Sequence, residues 1–197
     1  MARGGLLSWV VSLGATVAST YALDAFAAVV GTAAVASGLL TPAGTPGLVA
    51  LLLLSYAAWG WGLHANVRAN WALLTTTGTS TNILSKAAYE IARRRRAGVR
   101  AHRVAAATGY VGTELAKEVP YYLGAFGAAV LTDSITSHEA LVFLIGANLG
   151  AALYECLLAR ATGAFVRRRL RAESSARRPV ESSARRPVAA ESGRRDG

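Results

Sequence analysis

Charged residues are scarce in this chain and unevenly distributed. They make up 16% of its 197 residues, whereas a typical soluble domain carries about 25%. No lysine or arginine occurs between Arg3 and Arg68, and none occurs between Lys117 and Arg160. The single cysteine, Cys156, excludes an internal disulfide. These absences argue against a soluble domain and against a small secreted domain held together by disulfides.

Sequence signatures of enzymes are missing as well. No histidine–cysteine cluster has the spacing of a zinc site, and neither a nucleophile elbow nor a Walker loop occurs. The paired aspartate motifs of enzymes that act on lipid pyrophosphates are also absent. We therefore predict no catalytic residues, no metal site and no cofactor. Nucleic acid is disfavoured as a partner, because no aromatic residues are interleaved with the arginine clusters.

Hydrophobic residues dominate instead, at 53% of the chain, and they concentrate in long blocks. The four blocks run from Leu6 to Leu40, Leu48 to Leu63, Val104 to Leu131 and Ala140 to Phe165. Each is about the length of a membrane-spanning helix, and the second is the shortest. The first exceeds one span, so we expect its helix to end near Val30. The sequence predicts an all-α membrane protein with four transmembrane helices.

The basic residues fall where four spans place them on one side of the membrane. They lie at Arg3, at Arg68, between Lys86 and Arg103, and from Arg160 onward. The positive-inside rule makes that side cytoplasmic. We therefore predict a multi-pass protein of the cytoplasmic membrane with both termini inside. A cleavable signal peptide is the less favoured alternative, because its removal would leave three spans and export a basic cluster.

Composition divides the chain into four segments. Residues 1–72 and 104–169 are each predicted to form a hairpin of two spans. Residues 73–103 form a basic cytoplasmic loop, in which Thr81 or Asn82 caps an amphipathic interfacial helix that attracts anionic headgroups. A plain solvated connection is the alternative. Residues 170–197 contain the tandem repeat ESSARRPV and cannot form a core, so we predict a disordered basic tail.

The two hairpins share a sequence pattern. The stretch TYALDAFAAVV, from Thr20, aligns without gaps with PYYLGAFGAAV, from Pro120. We interpret this match as a parallel internal duplication, in which equivalent sites are arranged around an axis along the membrane normal. A chance match between two stretches rich in alanine and valine is the alternative.

Charges within the apolar blocks mark the candidate site. The stretch GTELAKEVPYY carries Glu114, Lys117 and Glu118 on one helical face, at a predicted membrane depth similar to that of Glu155. Further polar candidates on the other spans are Asp24, Asn66, Arg68 and Arg160. One interpretation is a polar cavity in which arginines bind a phosphate headgroup and carboxylates bind sugar hydroxyls. The other is a structural ion-pair network that holds the helices together. In it, Lys117 lies between Glu114 and Glu118 on its own helix and also faces Glu155.

One motif gives the chain a resemblance to a known family. The stretch NVRANWALL, in which Asn66 or Asn70, Arg68 and Trp71 approximate an Asn-Arg-x-Trp signature, is similar to the end of a span in the GtrA-like family. The first span, SLGATVASTYALDAFAAVV, is also similar to that family's first span. The resemblance implies a small four-helix membrane protein that binds or flips polyprenyl-phosphate-linked sugars for cell-envelope glycosylation.

Partners follow from the same resemblance. It implies a polyprenyl-phosphate lipid as substrate, and a membrane glycosyltransferase or further copies of the chain as protein partners. The alternative function is that of a structural or accessory subunit of a membrane complex, without transport activity.

Overall fold

The structure, a computed structural model, describes residues 5–133 and 136–184, and the side chains of all of these except 118–126, 128, 129 and 176–184. This part of the chain is all-helical and contains no strand. Its five helices are α1 (Leu6–Ser37), α2 (Thr45–Thr77), α3 (Ile83–Arg94), α4 (Val99–Leu131) and α5 (Ser137–Ala184).

Three helices are long and apolar enough to cross a membrane: α1, α2 and the Ser137–Ser175 part of α5. The 32 residues of α1 alone extend for about 48 Å, against a hydrocarbon core of about 30 Å. Large apolar side chains such as Leu53 and Leu54 point outward, each 66% exposed, as a lipid environment requires. The all-α membrane class is therefore supported. That α4 forms a fourth span stays a prediction, since side chains in its middle lie outside the described part of the chain.

The first two helices run further than the sequence predicts. The sequence predicts that helix α1 ends near Val30, but the helix continues to Ser37. The stretch between them is rich in alanine and contains no proline, and its glycine, Gly31, lies against Phe143 of α5. Gly38 then ends it with φ of 65°, and its N–H bonds to the carbonyl of Val35. Helix α2 ends in the same manner at Gly78, with φ of 73°. It therefore passes the predicted hairpin boundary at residue 72.

Helix α5 is the central helix of the bundle, because both α1 and α2 pack mainly against it. Glycines permit the close approach of α1 and α5: a Cβ on Gly150 would lie 2.5 Å from the carbonyl oxygen of Phe26. Gly62 does the same for α2, because a Cβ there would lie 2.9 Å from the carbonyl oxygen of Ala152. Close packing through small residues is the usual way in which membrane helices associate.

This arrangement differs from two self-contained hairpins. Helices α1 and α2 scarcely touch each other, since both pack on α5, and α4 packs mainly on α3. The predicted duplication of two hairpins is not confirmed by these contacts. It stays a prediction based on the sequence match.

Helix α3 is the helix expected in the basic loop, and Asn82 is its cap: the Asn82 side chain accepts a hydrogen bond from the backbone N–H of Ser85. Its polar face is turned inward, where Lys86 is completely buried. Its apolar residues Leu84 and Ile91 are 52% and 53% exposed. An outward apolar face suits the membrane interface, and that location stays a prediction.

The C-terminal segment also differs from expectation over part of its length. Helix α5 continues to Ala184, through the first copy of the ESSARRPV repeat, where the sequence predicts a disordered tail from residue 170. Glutamate, alanine and arginine in this segment are good helix formers, so a helix that is already nucleated can extend through them. Pro179 opposes the extension, because it lacks the N–H for one helical hydrogen bond. The remainder of the predicted tail, residues 185–197, lies outside the described residues.

The ends of the helices that carry arginine clusters meet at one end of the bundle, which we call the basic end. There the backbone N–H of Ser80 donates to the hydroxyl of Ser12, and Lys86 Nζ donates to the hydroxyl of Ser8. The hydroxyl of Ser85 donates to the carbonyl of Ala106 near the start of α4. The opposite end holds the turn at residues 38–44 and the start of α5.

Candidate functional site

Buried polar side chains concentrate in the half of the bundle nearest the basic end. They come from all five helices and from the loop between α2 and α3, and they bond to one another. We call this set the polar network; its members are Ser12, Thr16, Asn66, Asn70, Ser80, Asn82, Ser85, Lys86, Tyr110, Glu114, Lys117 and Glu155.

The loop at residues 78–82 enters the network because it folds back along α2. Gly78, in the left-handed conformation, reverses the chain after the last turn of the helix. The side-chain oxygen of Asn70 then accepts bonds from the Ser80 hydroxyl at 2.7 Å and from the backbone N–H of Thr81 at 3.0 Å. The amide nitrogen of Asn70 donates to the Ser85 hydroxyl at 2.9 Å. One asparagine thus holds the loop and the first turn of α3.

Helix α1 supplies hydroxyls for the backbone of this loop. Ser12 and Thr16 are spaced i and i+4, so they share a face of α1. The Ser12 hydroxyl accepts the N–H of Ser80 at 3.0 Å, and the Thr16 hydroxyl accepts the N–H of Ile83 at 2.7 Å. Both N–H groups would otherwise be buried without a partner, which costs free energy.

A chain of polar contacts crosses from α3 to α4 and α1. The amide nitrogen of Asn82 donates to Oε1 of Glu114 at 3.3 Å. Oε2 of Glu114 forms an ion pair with Lys117 Nζ at 3.0 Å. The same ammonium group donates to the Thr20 hydroxyl at 3.1 Å. Glu114 is only 3% exposed, so these donors offset the cost of burying its carboxylate.

A second cluster joins α2, α4 and α5. The amide nitrogen of Asn66 donates to the hydroxyl of Tyr110 at 2.7 Å and to Oε2 of Glu155 at 2.5 Å. Asn66 is completely buried, and Glu155 is 1% exposed. The side-chain oxygen Oδ1 of Asn66 is buried and has no hydrogen-bond partner among the described residues. It is therefore a buried acceptor whose hydrogen bond the described residues do not supply.

Lys86 ties the ends of α1 and α2 to α3. Its ammonium group donates to the carbonyl of Gly78 and, at 3.0 Å, to the Ser8 hydroxyl. It also lies 5.0 Å from the centre of the Trp9 ring, within the range of a cation–π contact. Burial lowers the pKa of Lys86, and the nearby carboxylate of Glu90 partly opposes that shift.

The structure brings together four of the residues predicted for the site: Asn66, Glu114, Lys117 and Glu155. Lys117 pairs with Glu114 and not with Glu155, whose described partner is Asn66. The predicted pairing of Lys117 with Glu155 is therefore corrected. A helical turn of α1 separates Asp24 from Thr20, the hydroxyl partner of Lys117, and Asp24 is partly buried.

The remaining candidates do not join the network. Arg68 and Arg160 are exposed on the surface of α2 and α5. The sequence predicts their long side chains at the mouth of a cavity. Neither of them lines the crevice at residues 34–41 and 136–142 or the crevice between α1, α5 and the loop at residues 78–82. The side chain of Glu118 lies outside the described residues.

Sequence reasoning missed the part of the network that the loop brings in. The sequence assigns Asn70 to a helix end, Ser80 to a linker and Lys86 to the basic face of the interfacial helix. The available signals were spacings: Asn66 and Asn70 at i and i+4 on α2, and Ser12, Thr16 and Thr20 at the same interval on α1. Both place polar groups on one face of an apolar helix.

The polar network offers hydrogen-bond donors, hydrogen-bond acceptors and charged side chains. Of its charged groups, Glu114 pairs with Lys117, whereas Glu155 bonds to Asn66. Lys86 bonds to the neutral oxygens of Ser8 and Gly78. No group of three potential metal ligands occurs among the described residues. Comparison of the chain with protein-family models, with curated proteins and with solved structures gave no match.

Proposed function

We propose that this chain is a multi-pass protein of the cytoplasmic membrane that binds or translocates a lipid-linked substrate of the polyprenyl-phosphate type for cell-envelope glycosylation. The observation that supports it is the polar network, which places buried charges between helices apolar enough to cross a membrane. A charge at membrane depth costs about 2.5–3.5 kcal/mol even on the gentler scales, so such residues are usually functional. The resemblance to the GtrA-like family supports the same substrate class.

The buried acceptor of Asn66 defines how a substrate would engage. A sugar hydroxyl can donate to Oδ1 of Asn66, which has no described partner, beside the carboxylate of Glu155. Exposed arginines at the basic end, Arg68 and Arg160, would hold the phosphate at the membrane surface. In this proposal α4 is the fourth span, both termini are cytoplasmic, and the two hairpins descend from a parallel duplication.

A structural or accessory role is the second candidate, and one observation favours it. Most polar groups of the network bond to each other: Glu114, for example, has both Asn82 and Lys117 as partners. Such a network can serve to fix the loop and the helices in one arrangement. A protein with this role needs a partner surface rather than a ligand.

Native mass spectrometry of the full chain, released from its membrane, tests the two candidates. We expect a polyprenyl-phosphate adduct on the wild type, its loss in Asn66→Ala, and its retention in Asn148→Ala. Asn148 is a matched control, because it is 3% exposed and donates to Ser55 in the opposite half of the bundle. A stoichiometric protein partner without a lipid adduct would establish the accessory role instead.

A further inference from the structure

Helices α1 and α5 are in close contact in one half of the bundle and separate in the other. Gly31, Gly146 and Gly150 leave no room for a Cβ between the two helices in the half away from the basic end. The ring of Tyr154 still packs on Phe26, with centroids 5.6 Å apart. Nearer the basic end, a crevice of about 290 Å³ opens between the helices.

The lining of this crevice is apolar at its mouth and hydroxyl-bearing at its floor. Val11 and Phe165, at the two sides, are 48% and 52% exposed. Thr81 of the folded-back loop and Thr162 of α5 contribute hydroxyl groups. The volume lies near the lower end of small-molecule pockets, which span about 300–1,000 Å³. It therefore suits part of one hydrocarbon chain and not a whole lipid.

Positive charge continues from the crevice along α5. Arg168 and Arg169 follow Phe165 at i+3 and i+4, so they extend the same face of the helix toward the basic end. Arg169 is paired with Glu173 at 3.3 Å, whereas Arg168 has no acidic partner among the described residues. An apolar crevice that leads to an unpaired arginine complements a lipid with an anionic headgroup.

We propose that this crevice holds one acyl chain of an anionic phospholipid from the leaflet at the basic end, with its phosphate against Arg168. The site is separate from the buried acceptor of Asn66 and does not depend on the proposed substrate. A bound acyl chain fills the wedge between α1 and α5 and covers the loop at residues 78–82. The phospholipid thereby seals the polar network from the side.

The test uses the full chain reconstituted into vesicles of equal parts phosphatidylcholine and phosphatidylglycerol, then extracted into mild detergent for native mass spectrometry. We expect the wild type to retain phosphatidylglycerol in preference to phosphatidylcholine. Ala15→Phe, which fills the crevice, should abolish this preference. Ala18→Phe, on the exposed face of the same helix one turn away, should leave it intact.

A charge variant gives a readout that does not depend on repacking. Arg168 is exposed, and Arg168→Gln should lower the ratio of phosphatidylglycerol to phosphatidylcholine adducts by about fivefold, while the exposed Arg171→Gln keeps the wild-type ratio. Equal retention of the two lipids by the wild type overturns the proposal. So does an Ala15→Phe variant that retains phosphatidylglycerol as the wild type does, or an Arg168→Gln variant with an unchanged ratio.

Discussion

Asn82 and Glu114 stand 32 positions apart in the chain, yet the amide nitrogen of Asn82 donates to Oε1 of Glu114 at 3.3 Å. The same asparagine caps α3 through its side-chain oxygen. One residue therefore starts a helix and also supplies a donor to a carboxylate on another helix. Local and long-range structure are coupled at this point.

Replacement of Asn82 should reveal both roles. Asn82→Ala should lower the free energy of unfolding in two ways. Loss of the helix cap costs about 0.5–2 kcal/mol, and a buried carboxylate oxygen left without its donor costs about 1–3 kcal/mol. Asn82→Asp keeps the cap acceptor but places a second carboxylate beside Glu114, so it should be no more stable than Asn82→Ala. Denaturant unfolding in detergent measures both. The control Asn148→Ala removes one buried hydrogen bond, of 3.1 Å, and should lower the free energy of unfolding by less than Asn82→Ala does. If Asn82→Asp is as stable as the wild type, only the cap matters and the contact with Glu114 does not.

Lys86 should make stability depend on pH. Because burial lowers its pKa below the ordinary 10.5, the unfolded chain binds more protons between the lowered value and 10.5. The free energy of unfolding therefore rises with pH across that window, and the contribution of Lys86 to it is lowest below the window. The free energy of unfolding, measured against pH for wild type and Lys86→Met, should differ in slope as the pH approaches 10.5. Identical slopes for the two proteins would contradict this assignment.

The contact between α1 and α5 should tolerate no side chain at Gly150. A methyl group there meets the carbonyl oxygen of Phe26 at 2.5 Å, so Gly150→Ala should destabilise the bundle by about 1–3 kcal/mol. Gly60 on α2 has open space around it. Gly60→Ala should thus be neutral or stabilising, since alanine is the better helix former. Thermal unfolding of both variants in the same detergent checks the pair, and equal melting temperatures would argue against the close helix contact.

The orientation of the basic end can be read with reporter fusions. A fusion at Arg96 should report the cytoplasmic side, whereas fusions at Gly44 and Ser137 should report the outside. Gly44 precedes α2 and Ser137 begins α5, so both lie at the end opposite to Arg96. An outside signal at Arg96 would reverse the proposed topology.

The sequence predicts the local features of this protein well. Apolar blocks locate the long helices, and the Asn82 cap before an amphipathic stretch locates α3, because both signals are contained within a few turns of chain. Asn66 and Glu155 could be predicted as site residues from the sequence, because burial of a polar group in an apolar helix costs free energy and therefore calls for a reason. The predicted ends of the helices are less accurate, as the extension of α1 to Ser37 shows.

The parts that the sequence could not predict depend on contacts between distant residues. The loop at residues 78–82 folds back because Asn70 and Ser12, on different helices, both bond to it. Nothing within the loop itself indicates this fold. The sequence therefore assigns Lys86 to the basic face that attracts headgroups, although its side chain is completely buried. Likewise, Glu155 bonds to Asn66, 89 positions away in the chain, whereas Lys117 keeps the local partner Glu114 that its helical spacing predicts.

The central position of α5 has a consequence for biosynthesis. Ribosomes release α1 and α2 first, but these two helices scarcely contact each other and pack on a helix that is made last. Domains normally fold from the N-terminus as they emerge. Here α1 and α2 cannot complete their packing until α5 has been synthesised. Asn66 has no Glu155 to bond to during that interval. A nascent chain that stops before residue 155 therefore lacks the carboxylate partner of the Asn66 amide, and this part of the polar network forms only after α5 is made.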